Sequence, residues 1–435
     1  MKLKLFLILI PLFTNAQKVI KNYYDKAQLQ PKEEYSVLAG DENVLDGHYK
    51  RYYQNGNVEI EGTYKDSRKS GVFFEYFEDG TIQRKISYFD GMRHGQVEIY
   101  DQIGRCIQKA NYENNELVDS VSTYFPSGKI RLESGFVKGK PDGLLKEYYP
   151  TGNIRKEIAY KNRKPNGVTR TYYENGNVEL EANFKDGVIN GFFKTYYQNG
   201  QLKTQSEMKE GEKVGNFKNY DEQGNLVLNG YFADGLLTGE NTAYFADGTV
   251  KHLINYEKGN KTGTNFVYYQ NGKLKTKEII SNKGIDRLEF GYYDTGNLSY
   301  KKKFKNQLPN GEWVYYFENG KTLRLVENYI NSKLDGLRSS FYEDGKIKLE
   351  EEYKFGLLNG KVKKFDENEH LVSECEYKSS IPHGLFTSYF PNGNIKEQGQ
   401  FVAGKKHKEW KEYDEMNIEI KVTNFNAGRE VIQEN

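Results

Sequence analysis

The sequence predicts an all-β fold: an elongated repeat solenoid of about sixteen 24-residue antiparallel β-hairpins forming one long twisted sheet. Three observations carry this prediction: an aromatic landmark that returns every 24 residues, a glycine turn just after it, and an apolar/charged alternation beyond the turn. The landmarks are Tyr52, Tyr76, Tyr100, Tyr124, Tyr148, Tyr172, Tyr196, Tyr220, Tyr244, Tyr268, Tyr292, Tyr316, Phe341, Phe365, Tyr389 and Tyr413. They make sixteen copies with one slip of a single residue, between Tyr316 and Phe341. A fixed period of this length is built by stacking one supersecondary unit, each copy resting on its neighbours.

Four residues after the landmark, glycine stands in fourteen copies, usually as Asn-Gly or Asp-Gly: Asn55-Gly56, Asp79-Gly80, Asn175-Gly176. Such dipeptides predict a hairpin closed by a type I′ turn. The chain then alternates, as in Val178, Leu180, Ala182 and Phe184 with Glu179, Glu181 and Asn183 between them. Period two with interleaved charge is a half-buried strand. Before the turn, a bulky residue such as Phe73, Leu145, Phe193 or Trp313 stands three residues ahead of the landmark. The two positions have opposite parity, so either both faces of this strand are partly covered or a bulge intervenes. Glycine also stands five residues ahead of the landmark in thirteen copies, Asp119, Arg287 and Lys408 being the exceptions. Neighbouring hairpins join through a second turn, as at Asp186-Gly187 and Glu210-Gly211. A lone hairpin is marginal in water. Stacking sixteen predicts about 32 strands and roughly 150 Å of length at the usual strand spacing.

Outside the repeat, Met1-Lys2-Leu3-Lys4, the apolar run Leu5 to Phe13 and the small residues before Gln17 read as a cleavable export signal over residues 1–16. The run is shorter than the about 20 residues a membrane-spanning helix needs. Residues 17–46 are expected to cap the stack, with a strand at Glu34 to Leu38; the repeats fill 47–428, and 429–435 trail off as a tail. The 435-residue chain carries 63 basic and 61 acidic side chains. Loss of Lys2 and Lys4 with the signal makes it neutral, so no global field favours nucleic acid. Cys106 and Cys375 fall in distant repeats and are not expected to form a disulfide with each other.

The unit of glycine, bulky residue, aromatic pair, Asn-Gly, aliphatic and aromatic residue resembles the variant MORN repeat (membrane occupation and recognition nexus). Gly311-Glu312-Trp313-Val314-Tyr315-Tyr316-Phe317-Glu318-Asn319-Gly320 carries the likeness, as does Gly191 to Gly200. Only Trp313 and Trp410 keep the early tryptophan of the older repeat form. The chain is therefore similar to the bacterial variant group, many of whose members are labelled antitoxin components. That resemblance implies an interaction scaffold without chemistry of its own, and an export signal conflicts with a cytoplasmic antitoxin role. Tyr220-Asp221-Glu222-Gln223-Gly224-Asn225-Leu226 also resembles the tyrosine-aspartate repeat of large secreted shell proteins. Aspartate follows the landmark in only four copies, at Asp101, Asp221, Asp366 and Asp414.

No catalytic, cofactor or metal constellation stands out. His48, His94, His252, His370, His383 and His407 are scattered, and no nucleophile elbow or phosphate loop occurs. The reading is therefore a non-enzymatic, exported scaffold that binds protein in a bacterial envelope, in the periplasm or at the cell surface, or secreted. The alternative is a glycan- or cell-wall-binding module that uses tyrosine rows; a third is a peripheral binder of anionic lipid through Lys301-Lys302-Lys303-Phe304-Lys305 or Lys405-Lys406-His407-Lys408. The landmark ring is expected to join repeats. The ring after it is expected on the other, more exposed face, making Tyr53, Tyr149, Tyr173, Tyr197, Tyr269 and Tyr293 the candidate partner contacts.

Overall fold

The computed structural model describes residues 17–281 and 284–431; the expected export signal lies outside them. Among the described residues the regular elements are β-strands, with no α-helix. The chain divides into two compact units, 17–212 and 213–431. In each unit the strands pair antiparallel with their neighbours in sequence, as hairpin repeats demand.

The first strands show how one repeat is made: β1 (Gln17–Tyr23), β2 (Pro31–Leu38), β3 (Asp41–Tyr52), β4 (Val58–Lys65), β5 (Arg68–Tyr76) and β6 (Ile82–Phe89). Between β5 and β6, Gly80 donates its N–H to the Phe77 carbonyl at 2.9 Å and Phe77 donates to the Thr81 carbonyl at 2.8 Å. Gly80 has φ +88°, whereas Asp79 is not left-handed. The expected type I′ turn at Asn-Gly and Asp-Gly is therefore corrected to a type I turn ended by a left-handed glycine, which needs positive φ at one residue only. The preceding side chain is used instead to hold the turn: the Asp79 carboxylate accepts the Thr81 N–H at 2.8 Å, and the Asn55 amide oxygen accepts that of Asn57 at 2.9 Å. Type I′ geometry belongs to the second turn, as at Asp90/Gly91 (φ +50° and +78°) and Asn162/Arg163 (φ +52° and +70°).

The glycine five residues before the landmark is left-handed too. Gly71 has φ +78° and Gly167 +105°, and Asp119 (+57°) and Lys408 (+61°) take the same conformation without being glycine. Pairing jumps there from Glu61↔Phe74 to Thr63↔Ser70, leaving a bulge. The parity conflict is thus resolved in favour of both alternatives. Phe73 packs edge-on between Tyr64 and Tyr88, at 5.5 and 5.3 Å, while Tyr76 stacks with Phe74 at 6.4 Å. Residues two apart on a strand share a side, so Phe73 and Phe74 face opposite ways. Gly167→Val should destabilise the first unit by about 1–3 kcal/mol, because a side chain at that φ is strained and its Cβ would meet the Ala159 Cβ at 3.3 Å. A lowered urea midpoint checks this.

Directly opposed residues form a row across successive strands. In the first unit it reads Gly62, Phe73, Ile86, Val97, Ala110, and farther on Ile158, Thr169, Ala182. Large residues meet small ones: a Cβ on Gly62 would sit 2.6 Å from the Phe73 ring. In the middle of the second unit the same row is mostly polar, through Asn265, Glu278, Glu289 and Lys302, then, past Trp313, Glu327, Arg338 and Glu351; it is apolar again at Val362, Cys375, Phe386 and Trp410. Along that stretch the row on the other side gains Leu253, Phe266, Phe290, Val314 and Val326, with Lys277 and Lys301 between them.

The cap strand expected at Glu34 to Leu38 lies within β2, where Val37 is fully buried. Tyr24 donates its hydroxyl to the Tyr52 carbonyl at 2.7 Å, so Tyr23-Tyr24 opens a divergent hairpin copy with a longer turn. At the other end, the expected tail is corrected in part: Arg429–Glu430 pairs with the strand Glu419–Asn426.

Candidate functional site

The recurring aromatic pair is the most specific feature of the chain, and its two rings have separate duties. In several copies the landmark hydroxyl reaches back to a glutamate of the preceding hairpin: Tyr76 donates to Glu61 at 2.6 Å, Tyr148 to Glu133 at 2.9 Å and Tyr172 to Glu157 at 2.7 Å. Burial, then the bonded carboxylate, pushes Tyr148 and Tyr172 up to about 12. The hydrogen bond from Tyr76 is the main cause holding Glu61 below the usual carboxylate range. In the first unit lysine and arginine complete this ladder: Lys50 lies 3.3 Å from Glu61, Lys109 2.9 Å from Glu98 and Arg170 2.6 Å from Glu181.

The second ring reaches forward. Tyr53, Tyr149, Tyr173, Tyr269 and Tyr293 each donate their hydroxyl to the backbone carbonyl of the next landmark, 23 residues on, at 2.7–2.9 Å. All six candidate contacts, Tyr197 included, are half-buried. A cation covers three of the rings: Arg155 stands 6.0 Å from the centre of Tyr149, Lys203 5.2 Å from Tyr197 and Lys275 5.3 Å from Tyr269. Tyr149 and Tyr269 thus have both hydroxyl and ring face engaged, and the hydroxyls of Tyr53, Tyr173 and Tyr293 are likewise spent in the joint between hairpins. Tyr173→Phe should therefore cost about 0.5–1.5 kcal/mol, the worth of one hydrogen bond. Urea unfolding of the two proteins measures it.

Where aspartate replaces the second ring, it serves its own turn. Asp101 accepts the N–H groups of Ile103 and Arg105 at 3.1 and 2.9 Å, and Asp221, Asp366 and Asp414 do likewise. The tyrosine-aspartate likeness thus has a local cause, the capping of a turn.

The basic run splits as alternation requires. Lys302 enters a nest of Tyr300, Trp313 and Tyr315, at 4.4, 4.9 and 5.1 Å from the ring centres, while Lys301 opposes Val314 on the other side. Lys406 rests over Trp410 at 3.8 Å and bonds Glu397 at 2.7 Å. The histidines stay apart: His370 meets Asp366 at 3.1 Å, and burial depresses His252. Among the described residues no three His, Cys, Asp or Glu side chains gather as for a metal ion. Both cysteines are free, and burial pushes their thiols up. A polar cleft of about 480 Å³ beside Asn260, Glu278 and Arg287 is shaped by bulge and turn residues. Sequence reasoning passed over the residues that close each type I′ turn, which become visible only when that one column is read down all the repeats.

The model of the MORN repeat variant family matches residues 45–66, 69–90, 141–162, 165–186, 190–210, 261–282, 309–331, 334–355, 358–379 and 382–403, just over half of the chain. No curated protein matches it. Among solved structures, the chain is similar to one in the crystal structure of TcdB2-TccC3-Cdc42, with 12% identity over 90% of this chain and 24% of that chain and a TM-score of 0.13. It is likewise similar to one in the crystal structure of TcdB2-TccC3-TEV, with 13% identity over 96% of this chain and 30% of that chain and a TM-score of 0.13. The chain spans less than a third of the length of these solved chains.

Proposed function

Because the chain belongs to the MORN repeat variant family, we propose that it is a non-enzymatic scaffold, exported to a bacterial envelope, that binds protein partners along its sheet surfaces. One observation carries this reading: the recurring polar groups are spent on joining repeats. Landmark hydroxyls such as those of Tyr76 and Tyr172 go to glutamates, second hydroxyls such as that of Tyr53 to backbone carbonyls, and turn side chains to their own turn, as Asp79, or also to the next one, as Asn55. What varies from copy to copy is the set of side chains along the strands and turns, and a repeat protein uses such extended surfaces for contact. Export rests on Met1 to Ala16, whose lysines, apolar run and small residues fit a cleaved leader. Stacking on sugar is a weaker reading, since cations cover Tyr149, Tyr197 and Tyr269. Affinity capture from an envelope extract on the immobilised chain, read by mass spectrometry, tests the proposal. A partner enriched over a chain-free control and competed by soluble chain is expected; capture of nothing above background overturns it.

A further inference from the structure

Each type I′ turn is closed by two directly opposed residues, which share one side of the sheet. Over three consecutive turns of the second unit these closing pairs are Ile330↔Lys333, Lys354↔Leu357 and Lys378↔Ile381. The flanking turns continue the rule with Lys305↔Leu308 and Val402↔Lys405. Every pair is one lysine and one aliphatic residue, and all ten side chains are exposed. None of the five lysines forms an ion pair among the described residues. The unbroken run is not a property of the repeat itself: in the first unit Val137↔Lys140 and Lys185↔Val188 follow the rule, but Glu113↔Glu116, Lys161↔Lys164 and Phe89↔Met92 do not.

Hydrogen bonds between turns fix the spacing. Ser332 donates its N–H to the Pro309 carbonyl at 2.9 Å, Gly356 to Leu334 at 2.8 Å, Ser380 to Leu358 at 2.8 Å and Gly404 to Pro382 at 2.9 Å. Successive pairs therefore recur every two strands, roughly 10 Å. Carboxylates beside these turns are occupied: Asp335 accepts the Phe355 N–H at 2.9 Å and Asp286 that of Asn306 at 3.1 Å. Glu352 and Glu376 stand one row farther in, opposite Leu337 and Lys361.

We infer that this rim, from Lys305 to Lys405, docks an extended acidic segment of a protein partner, one carrying a carboxylate and an aliphatic side chain about every third residue. The inference rests on the scaffold reading and names the chemistry of its partner. Unpaired lysines ask for carboxylates, and Leu308, Ile330, Leu357, Ile381 and Val402 ask for apolar side chains; neither sugar hydroxyls nor a nucleic acid would match the second set. In a polyproline II conformation every third residue falls on the same face, about 9 Å farther along, so a period of three matches the pairs. Neighbouring strands rotate by roughly 20°, so five pairs wind around the sheet. A flexible chain can follow that path, whereas a flat bilayer meets only part of it.

The test uses the full chain and a fluorescent peptide of about 15 residues, enough to span the pairs when extended, built from repeats of leucine, glutamate and threonine. Saturable, salt-sensitive binding is expected. It should weaken at least about tenfold for an isomeric peptide with its glutamates in one block, and at least about tenfold when Lys305, Lys333, Lys354, Lys378 and Lys405 are all changed to Gln. The variant should keep its urea midpoint, since these side chains are exposed. Equal binding of the two peptides, equal binding by the variant, or binding of anionic vesicles or an acidic polysaccharide in place of the peptide overturns the inference. If an envelope partner is captured equally by the wild-type chain and the variant, the scaffold stands and the rim does not.

Discussion

Phe73→Ala is expected to cost about 3–5 kcal/mol, the range for removing a large buried aromatic side chain. Phe73 is 1% exposed, wedged edge-on between Tyr64 and Tyr88 and covered by the Lys69 ammonium at 4.6 Å. Of its two neighbours across the sheet, Gly62 has no side chain to fall into the space and Ile86 is itself buried. The cavity can close only by moving Ile86 or the two tyrosines out of their own packing, and this puts the cost toward the upper end. Because a repeat chain is stabilised by nearest-neighbour contacts, the loss should stay local. Hydrogen exchange should show weakened protection from Val58 to Tyr100, with residues 213–431 unchanged. Phe74→Ala is the control: its half-buried ring lies on the other side, against Tyr76, and should cost less. A loss for Phe73→Ala below about 1 kcal/mol, far under the range for buried aromatics, would remove the wedge from the fold.

Alkali should unfold the chain through its tyrosines. Tyr49, Tyr148, Tyr172, Tyr315 and Tyr329 are each pushed up to about 12, first by burial and then by neighbouring carboxylates, chiefly Glu33, Glu133, Glu157 and Glu327. An unfolded tyrosine ionises near 10. The folded values are raised, so the stabilisation is complete below about 10 and is lost as pH climbs toward about 12. Glu61 and Glu98 work in the opposite window. The Tyr76 and Tyr100 hydroxyls, the largest causes, lower their folded values, so their contribution holds above the ordinary glutamate value and fades in acid. Urea midpoints followed by circular dichroism should be flat from about pH 5 to 9 and fall on both sides, more steeply in alkali because many tyrosines titrate together. A midpoint unchanged up to about pH 12 would mean that the hydroxyls are not held as the geometry has them.

The period, the hairpins and the inter-repeat duty of the landmark ring were legible because they repeat. The turn type was not, since Asn-Gly serves two turn geometries. Only the pairing of Tyr76 with Ile82 across a five-residue connection separates them. The opposite parity of Phe73 and Tyr76 was visible in sequence, yet its cause, a bulge at Gly71, depends on register. The duty of Tyr53 or Tyr173 was hidden because the acceptor is a backbone carbonyl in the next copy. A hint lay in the four aspartates that replace such rings, since a residue exchangeable with a turn cap belongs to a joint. The cap was read as a single strand although Tyr23-Tyr24 already showed the repeat's aromatic pair.

The claim that the recurring ring pair joins repeats, leaving contact to the residues that vary, is tested most directly by changing Tyr53, Tyr149, Tyr173, Tyr197, Tyr269 and Tyr293 together to Phe. This keeps the rings and removes the hydroxyls. Stability in urea and capture of an envelope partner are then measured on the same protein. A clear fall in the midpoint, with affinity for the partner unchanged under folded conditions, is the predicted result. An unchanged midpoint with lost capture would contradict it and make the tyrosines the contact surface.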